Sequence, residues 1–181
     1  MLSAANRAAP ASERPKYGGL NVLRRPAGAC PGFGSCHLRL RPEVNERTTV
    51  LLGDSARLGP VDYIEAHVHG PVELARDAEA VVVDPAFAGT PIADALLALG
   101  LPAEWHHGFV LAVEDIPVEP LGELRWQAFC AGGRAREHAR RLGMSLDAVA
   151  IGRAAAVDGY TDALKDLWAM TVALGRGRGE I

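Results

Sequence analysis

Cysteine, long apolar runs and an excess of positive charge are all scarce in this sequence. Its 181 residues include three cysteines, Cys30, Cys36 and Cys130. None stands in a CxxC pair, and an odd count does not suit the disulfide framework of a secreted domain, so a reducing cytoplasm is the expected location. No apolar stretch approaches the roughly 18 residues that a membrane-spanning helix needs. The opening residues Met1 to Pro10 carry Arg7 but no continuous apolar segment of the kind a secretory signal requires. A membrane partner is therefore not expected. With 19 Lys and Arg against 22 Asp and Glu, the formal net charge of -3 leaves no global basic field to bind a phosphate backbone, which argues against nucleic acid as a partner. There is no internal repeat.

Hydrophobic residues at 49% and charged residues at 23% are ordinary for a globular protein, and the length suits one hydrophobic core. The expected organisation is a loose terminus over residues 1–12, a single α+β domain over 13–175 and a flexible tail over 176–181. From Gly19 to Asp84, short β-prone runs alternate with Gly and Pro, which predicts a meander of antiparallel strands at Leu20 to Arg24, Ser35 to Arg41, Arg47 to Leu52, Val61 to Val68 and Glu79 to Val83. The run Ala80 to Val83 is continuously apolar and belongs in a sheet interior. Thr90-Pro91 supplies an N-cap and a first-turn proline for a short helix that stops at Gly100. A further strand follows at Phe109 to Val113. Beyond Pro120 the apolar period lengthens, predicting helices at Arg134 to Leu142 and Leu146 to Ala156. A last helix carries Leu164, Leu167, Trp168, Thr171 and Val172 on one stripe. Gly175 to Gly179 reads as a disordered end, and Trp105, Trp126 and Trp168 read as core or core-rim residues.

The richest chemistry lies in Tyr63-Ile64-Glu65-Ala66-His67-Val68-His69-Gly70. Strand alternation puts Tyr63, Glu65, His67 and His69 on one face and Ile64, Ala66 and Val68 on the other, with the apolar face turned to the core. Such a face is either an active-site surface or a merely solvated one. Two imidazoles two residues apart can share a metal ion. The other close histidine cluster is His106-His107, however, and no cysteine pair or acidic triplet stands at a diagnostic offset, so no metal is expected. Pro31 to Ser35 is a glycine-rich loop able to approach a ligand, or a hairpin turn. Arg14, Lys16 and Tyr17 offer two cations and a phenol suited to phosphate and ring contacts, or a solvated basic turn.

Taken in order, Glu13-Arg14-Pro15-Lys16-Tyr17-Gly18-Gly19-Leu20-Asn21, Pro31-Gly32-Phe33-Gly34-Ser35-Cys36-His37-Leu38-Arg39-Leu40 and Tyr63 to Val72 resemble the motifs of a bacterial family known as a domain of unknown function. Val83-Asp84-Pro85, Gly89-Thr90, Glu104-Trp105-His106 and Ile151-Gly152-Arg153 to Trp168 extend the resemblance to most of the chain from Glu13 to Gly175. The strands of that family look like those of ADP-ribosyltransferases, which cleave NAD at the nicotinamide ribose.

The resemblance implies an α+β fold with an antiparallel or mixed sheet core of ADP-ribosyltransferase-like type and C-terminal helices. It implies NAD as substrate, with a protein or small molecule as acceptor. By the same resemblance Glu65 would be the catalytic carboxylate and Ser35 would lie on a serine-bearing strand. Arg14 and Lys16 would meet the pyrophosphate, Tyr17 or Tyr63 would stack on the nicotinamide, and His37 and His67 would line the cofactor site. Loss of nicotinamide gives an oxocarbenium-like centre that a carboxylate stabilises, so the chemistry suits Glu65. Two departures accompany the likeness. The chain starts after the family's Arg-Ser-bearing N-terminal region, and His67 stands where glutamine is expected. A truncated or degenerate copy acting as a non-catalytic interaction module is therefore the second expectation, and a metal-dependent hydrolase using His67 and His69 is the third.

Overall fold

The structure, a computed structural model, describes residues 10, 12–52, 64–119 and 133–177. Most of the expected loose terminus lies outside the described residues, as do Tyr63, Trp126, Cys130 and the end of the expected tail. The fold is α+β. Among the described residues the strands form two three-stranded sheets and a two-stranded pair.

In the first sheet β4 (Ile64–Val68) lies between β1 (Lys16–Gly19) and β3 (Thr48–Leu52), antiparallel to both. The second has the order β2 (His37–Leu40), β5 (Ala78–Val83), β6 (Ala103–Trp105), with β2 antiparallel to β5. The pair joins β7 (Leu111–Ala112) to β8 (Ser145–Leu146). Among the described residues the α-helices are α1 (Leu74–Asp77), α2 (Pro91–Leu97), α3 (Arg134–Arg140), α4 (Ala148–Asp158) and α5 (Asp162–Leu174).

This arrangement corrects the expected meander. From β1 to β5, consecutive strands pair only at β3 and β4, whereas β1 reaches β4 and β2 reaches β5 across long sequence separations. The first strand also lies earlier than expected. Lys16–Gly19 is extended, while Asn21 closes a turn by donating Nδ2 to the Arg25 carbonyl at 2.8 Å and accepting the Arg25 N–H at 2.9 Å. Asparagine side chains mimic backbone turns in this way, and Arg24 takes a positive φ of 49° inside the loop, so Leu20 to Arg24 cannot run straight.

By contact the chain divides into two compact units. The first takes the chain up to Pro31 with Cys36–Val83 and Asp94–Glu104, and the second takes Gly32–Ser35, Asp84–Ala93 and the chain from Trp105 onward. The first unit buries the apolar run of β5, with Val81 and Val83 among its most enclosed side chains. It also holds an ion cluster around the buried Asp77 carboxylate. The Asp77 carboxylate accepts from Arg47 Nη2 at 2.7 Å, Arg76 Nε at 2.7 Å, Arg76 Nη2 at 2.8 Å and the Glu73 N–H at 2.8 Å. Arg47 also donates Nη1 to the His69 carbonyl at 2.6 Å, and Arg76 donates Nη2 to the Pro71 carbonyl at 3.1 Å. The bond from Arg76, then the Glu73 amide and then Arg47 hold the Asp77 carboxyl well below the usual carboxylate range.

The second unit is organised by α5. Thr161 caps it by accepting the Leu164 N–H at 3.3 Å, and Leu164, Leu167, Trp168, Met170 and Thr171 are buried. The Trp168 ring meets Phe109 edge-on, with centroids 5.9 Å apart. Trp105 differs, being 46% exposed on β6 and not a core residue. The helix expected from Leu146 starts at Ala148, because Leu146 pairs in β8 and Asp147 caps by accepting the Ala150 N–H at 2.8 Å. The strand expected over Phe109 to Val113 contracts to Leu111–Ala112 plus a bridge between Val110 and Arg176. That bridge also corrects the expectation of a free end, since Arg176 donates its N–H to Val110 at 2.9 Å and accepts the Val110 N–H at 3.0 Å. Gly175 permits it, because a Cβ there would stand 2.2 Å from the Thr171 carbonyl oxygen and 2.9 Å from that of Val110.

Two predictions follow from this packing. Trp168→Ala should lower the free energy of unfolding by about 3–5 kcal/mol, measured by chemical denaturation, as expected for truncating a buried aromatic. Asp77→Asn should lower the thermal midpoint at neutral pH. The depressed folded-state pKa means that Asp77 contributes fully above its unfolded value of about 3.9 and loses that contribution as pH falls through the folded value. The wild type and Asp77→Asn should therefore converge on acidification. Melting curves that stay parallel down to the acid transition would contradict this.

Candidate functional site

The register of the first sheet assembles the site. In antiparallel strands, paired residues share a face. Glu65 pairs with Gly19 and Leu51, and His67 pairs with Tyr17 and Thr49. Tyr17, Gly19, Glu65, His67, Thr49 and Leu51 therefore form one face, and Lys16, Gly18, Ala66, Val68, Thr48 and Val50 form the other. Ala66 and Val68 are buried, as alternation predicts.

Of the two readings of the opposite face, the merely solvated one does not hold at Glu65, which is only 5% exposed. Two features enclose it. β4 is flanked on both edges, and the Ala29-Cys30 stretch lies over Gly19, the cross-strand partner of Glu65. A Cβ on Gly19 would stand 2.2 Å from Cys30 Sγ and 2.8 Å from Ala29 Cβ, so the thiol fills the space that a side chain would take. Alternation within β4 carries no information about this loop, although the Gly18-Gly19 pair is a sign of close approach.

Glu65 Oε1 and His67 Nε2 are 3.0 Å apart. With Glu65 ionised, its carboxylate only accepts, and Nε2 carries the hydrogen and donates it. The Tyr17 ring meets the imidazole edge-on, with centroids 4.5 Å apart and planes at 65°. On the same side of the sheet, Thr49 Oγ1 and His69 Nε2 are hydrogen-bonded at 2.8 Å. The result is a Tyr17–His67–Glu65 row with a polar Thr49–His69 pair beside it.

The other expected residues are distributed differently. Lys16 lies on the opposite face of β1, and its ammonium donates to the Ser12 and Arg14 carbonyls, both at 2.8 Å. Arg14 precedes β1 in that turn. The sequence reading placed both beside a phosphate, but alternation separates Lys16 from Glu65. His37 packs its ring over Gly28, where a Cβ would stand 3.0 Å from Cε1, and Gly28 adopts a φ of 84° that glycine tolerates.

Ser35 belongs to the second unit and is buried. It lies just ahead of β2, and its carbonyl accepts from His106 Nε2 at 2.7 Å. His106 Nδ1 in turn accepts the Gly108 N–H at 3.0 Å, which fixes the tautomer and commits both ring nitrogens to backbone. Asp84, fully buried, accepts the Ala86 N–H at 2.8 Å. Serine, histidine and aspartate thus occur together in the second unit, yet the histidine bonds the Ser35 backbone and not its hydroxyl. The arrangement is a structural lock and not a nucleophilic triad. Sequence reading missed the buried roles of Asp84 and His106. Asp84-Pro85 was a usable sign, because an aspartate before a first-turn proline is a capping pattern.

Among the described residues no three His, Cys, Asp or Glu side chains converge as a set able to hold a metal ion, and no helix is long and apolar enough to cross a membrane. What the first unit offers chemically is a buried carboxylate held by an imidazole next to a partly exposed phenol. The chain is an α+β protein with this row on the central strand of an antiparallel sheet. It belongs to the family described as a protein of unknown function (DUF3626), whose model matches residues 2–62 and 59–157 and so takes in every strand from β1 to β8. No curated protein and no solved structure matches the chain.

The close approach at Gly19 is testable against its neighbour. Gly19→Ala should destabilise the protein by about 1–3 kcal/mol, the usual cost of overpacking. Gly18→Ala meets nothing within 4 Å and should stay within about ±0.5 kcal/mol. Equal denaturation midpoints for the two variants would show that Cys30 yields without cost.

Proposed function

We propose that the protein binds NAD and transfers its ADP-ribosyl group, with Glu65 as the catalytic carboxylate. The observation that carries this reading is the burial of Glu65 within a row that also presents Tyr17, a ring 48% exposed. In the reaction the bond between the ribose anomeric carbon and the nicotinamide nitrogen breaks, and nicotinamide leaves with the bonding electrons. A new bond forms from the anomeric carbon to an acceptor nucleophile, whose proton passes to solvent. Positive charge develops on the ribose in between, and a carboxylate shielded from water stabilises that charge more strongly than an exposed one. The exposure of Tyr17 supports a role for it in stacking on the departing ring.

In this reading the α+β fold is of ADP-ribosyltransferase-like type. The acceptor is a protein or small molecule, and the protein works in a reducing cytoplasm, where Cys30 and Cys36 remain thiols.

Glu65→Gln preserves shape and an acceptor oxygen for His67 while removing the charge. Nicotinamide release from NAD should fall by roughly 10²–10³-fold, the loss seen when one preorganised stabilising group is removed. NAD binding by calorimetry should persist, and thermal melts should show a folded variant. Equal release by wild type and variant would remove Glu65 from the mechanism. Absence of both NAD binding and nicotinamide release in the wild type would sink the reading and leave a non-catalytic interaction module.

A further inference from the structure

We propose that His67 is a positioning residue for Glu65 and not a contact to NAD, an inference that rests on the ADP-ribosyl transfer reading above. A glutamate side chain has three rotatable bonds, and a carboxylate that must face a developing charge loses effectiveness when it wanders. His67 removes that freedom. It lies two residues along the same strand, on the same face, and its Nε2 reaches Glu65 Oε1 at 3.0 Å.

The imidazole is held in turn from a neighbouring strand. Tyr17, its cross-strand partner on β1, packs edge-on at 4.5 Å. Thr49 is its partner on β3, where the Thr49 hydroxyl meets His69 Nε2 at 2.8 Å. Positions on paired strands are more precise than positions on loops, so the row forms a rigid support for the carboxylate.

The same geometry argues against a cofactor contact. The Nε2 atom is spent on Glu65, and only 15% of the His67 side chain is exposed, which leaves little of the ring for a dinucleotide to touch. Tyr17 is the more accessible member of the row. Binding and orientation thus fall to different residues, Tyr17 to the first and His67 to the second.

The two roles separate kinetically. A positioning residue acts on the transition state, so His67→Ala should lower kcat for nicotinamide release on the order of 10²-fold, the loss that about 1 Å of misplacement brings, with KM for NAD little changed. His67→Gln carries an amide N–H able to reach the same oxygen and should restore most of the rate. A raised KM with unchanged kcat, or no rescue by glutamine, would overturn the proposal.

A second measurement does not depend on turnover. Nitrogen-15 NMR of the neutral imidazole should show the Nε2–H tautomer alone in wild type and a mixture in Glu65→Leu, which removes the acceptor. Identical tautomer patterns would overturn the proposal. Should Glu65→Leu fail to fold, slow solvent exchange of the wild-type Nε2–H is the expected signature, and exchange as fast as that of an exposed imidazole counts against it. If the wild type releases no nicotinamide, the transfer reading fails while the NMR result still decides whether His67 holds Glu65.

Discussion

β4 is hydrogen-bonded along both edges, to β1 on one side and β3 on the other, and the chemistry of the first unit depends on that pairing. A central strand has its register fixed twice over, and register decides which side chains share a face. A slip of one residue would send Glu65 and His67 to the side that holds Ala66 and Val68. The end of β4 is pinned as well. Arg47, just ahead of β3, bonds the carbonyl of His69, just beyond β4, while its other nitrogen is held by Asp77. The ion cluster at Asp77 therefore ties the end of β4 to the start of β3, although it lies outside the row of Tyr17, Glu65 and His67.

Legibility in the sequence followed the range of the interaction. Local signals read well: the apolar run within β5, the Thr90-Pro91 start of α2 and the buried stripe of α5 are all present in the structure. Each is a period or a cap that a few neighbouring residues define. The partners of the strands were not legible, because β1 with β4 and β2 with β5 are chosen by packing across many intervening residues. The same limit applies to the site. Alternation put Glu65 and His67 on one face, but the packing of Cys30 over Gly19, the cross-strand partner of Glu65, is a contact that no periodicity encodes. At the chain end, glycine and arginine suggested disorder, whereas the absence of a side chain at Gly175 is what lets Arg176 pair with Val110.

Three buried carboxylates show how partner chemistry separates structural from chemical roles. Burying a carboxylate is costly unless hydrogen bonds and opposite charge replace its water. Asp77 meets that demand with two guanidinium groups and a backbone amide, an arrangement that holds it ionised and leaves it immobile. Asp84 caps the turn that begins at Pro85. Glu65 is bonded by the His67 imidazole at 3.0 Å. A carboxylate neutralised by guanidinium has little field left to offer a cation forming nearby. Asp77, tied to two arginines and a backbone amide, is therefore a structural anchor.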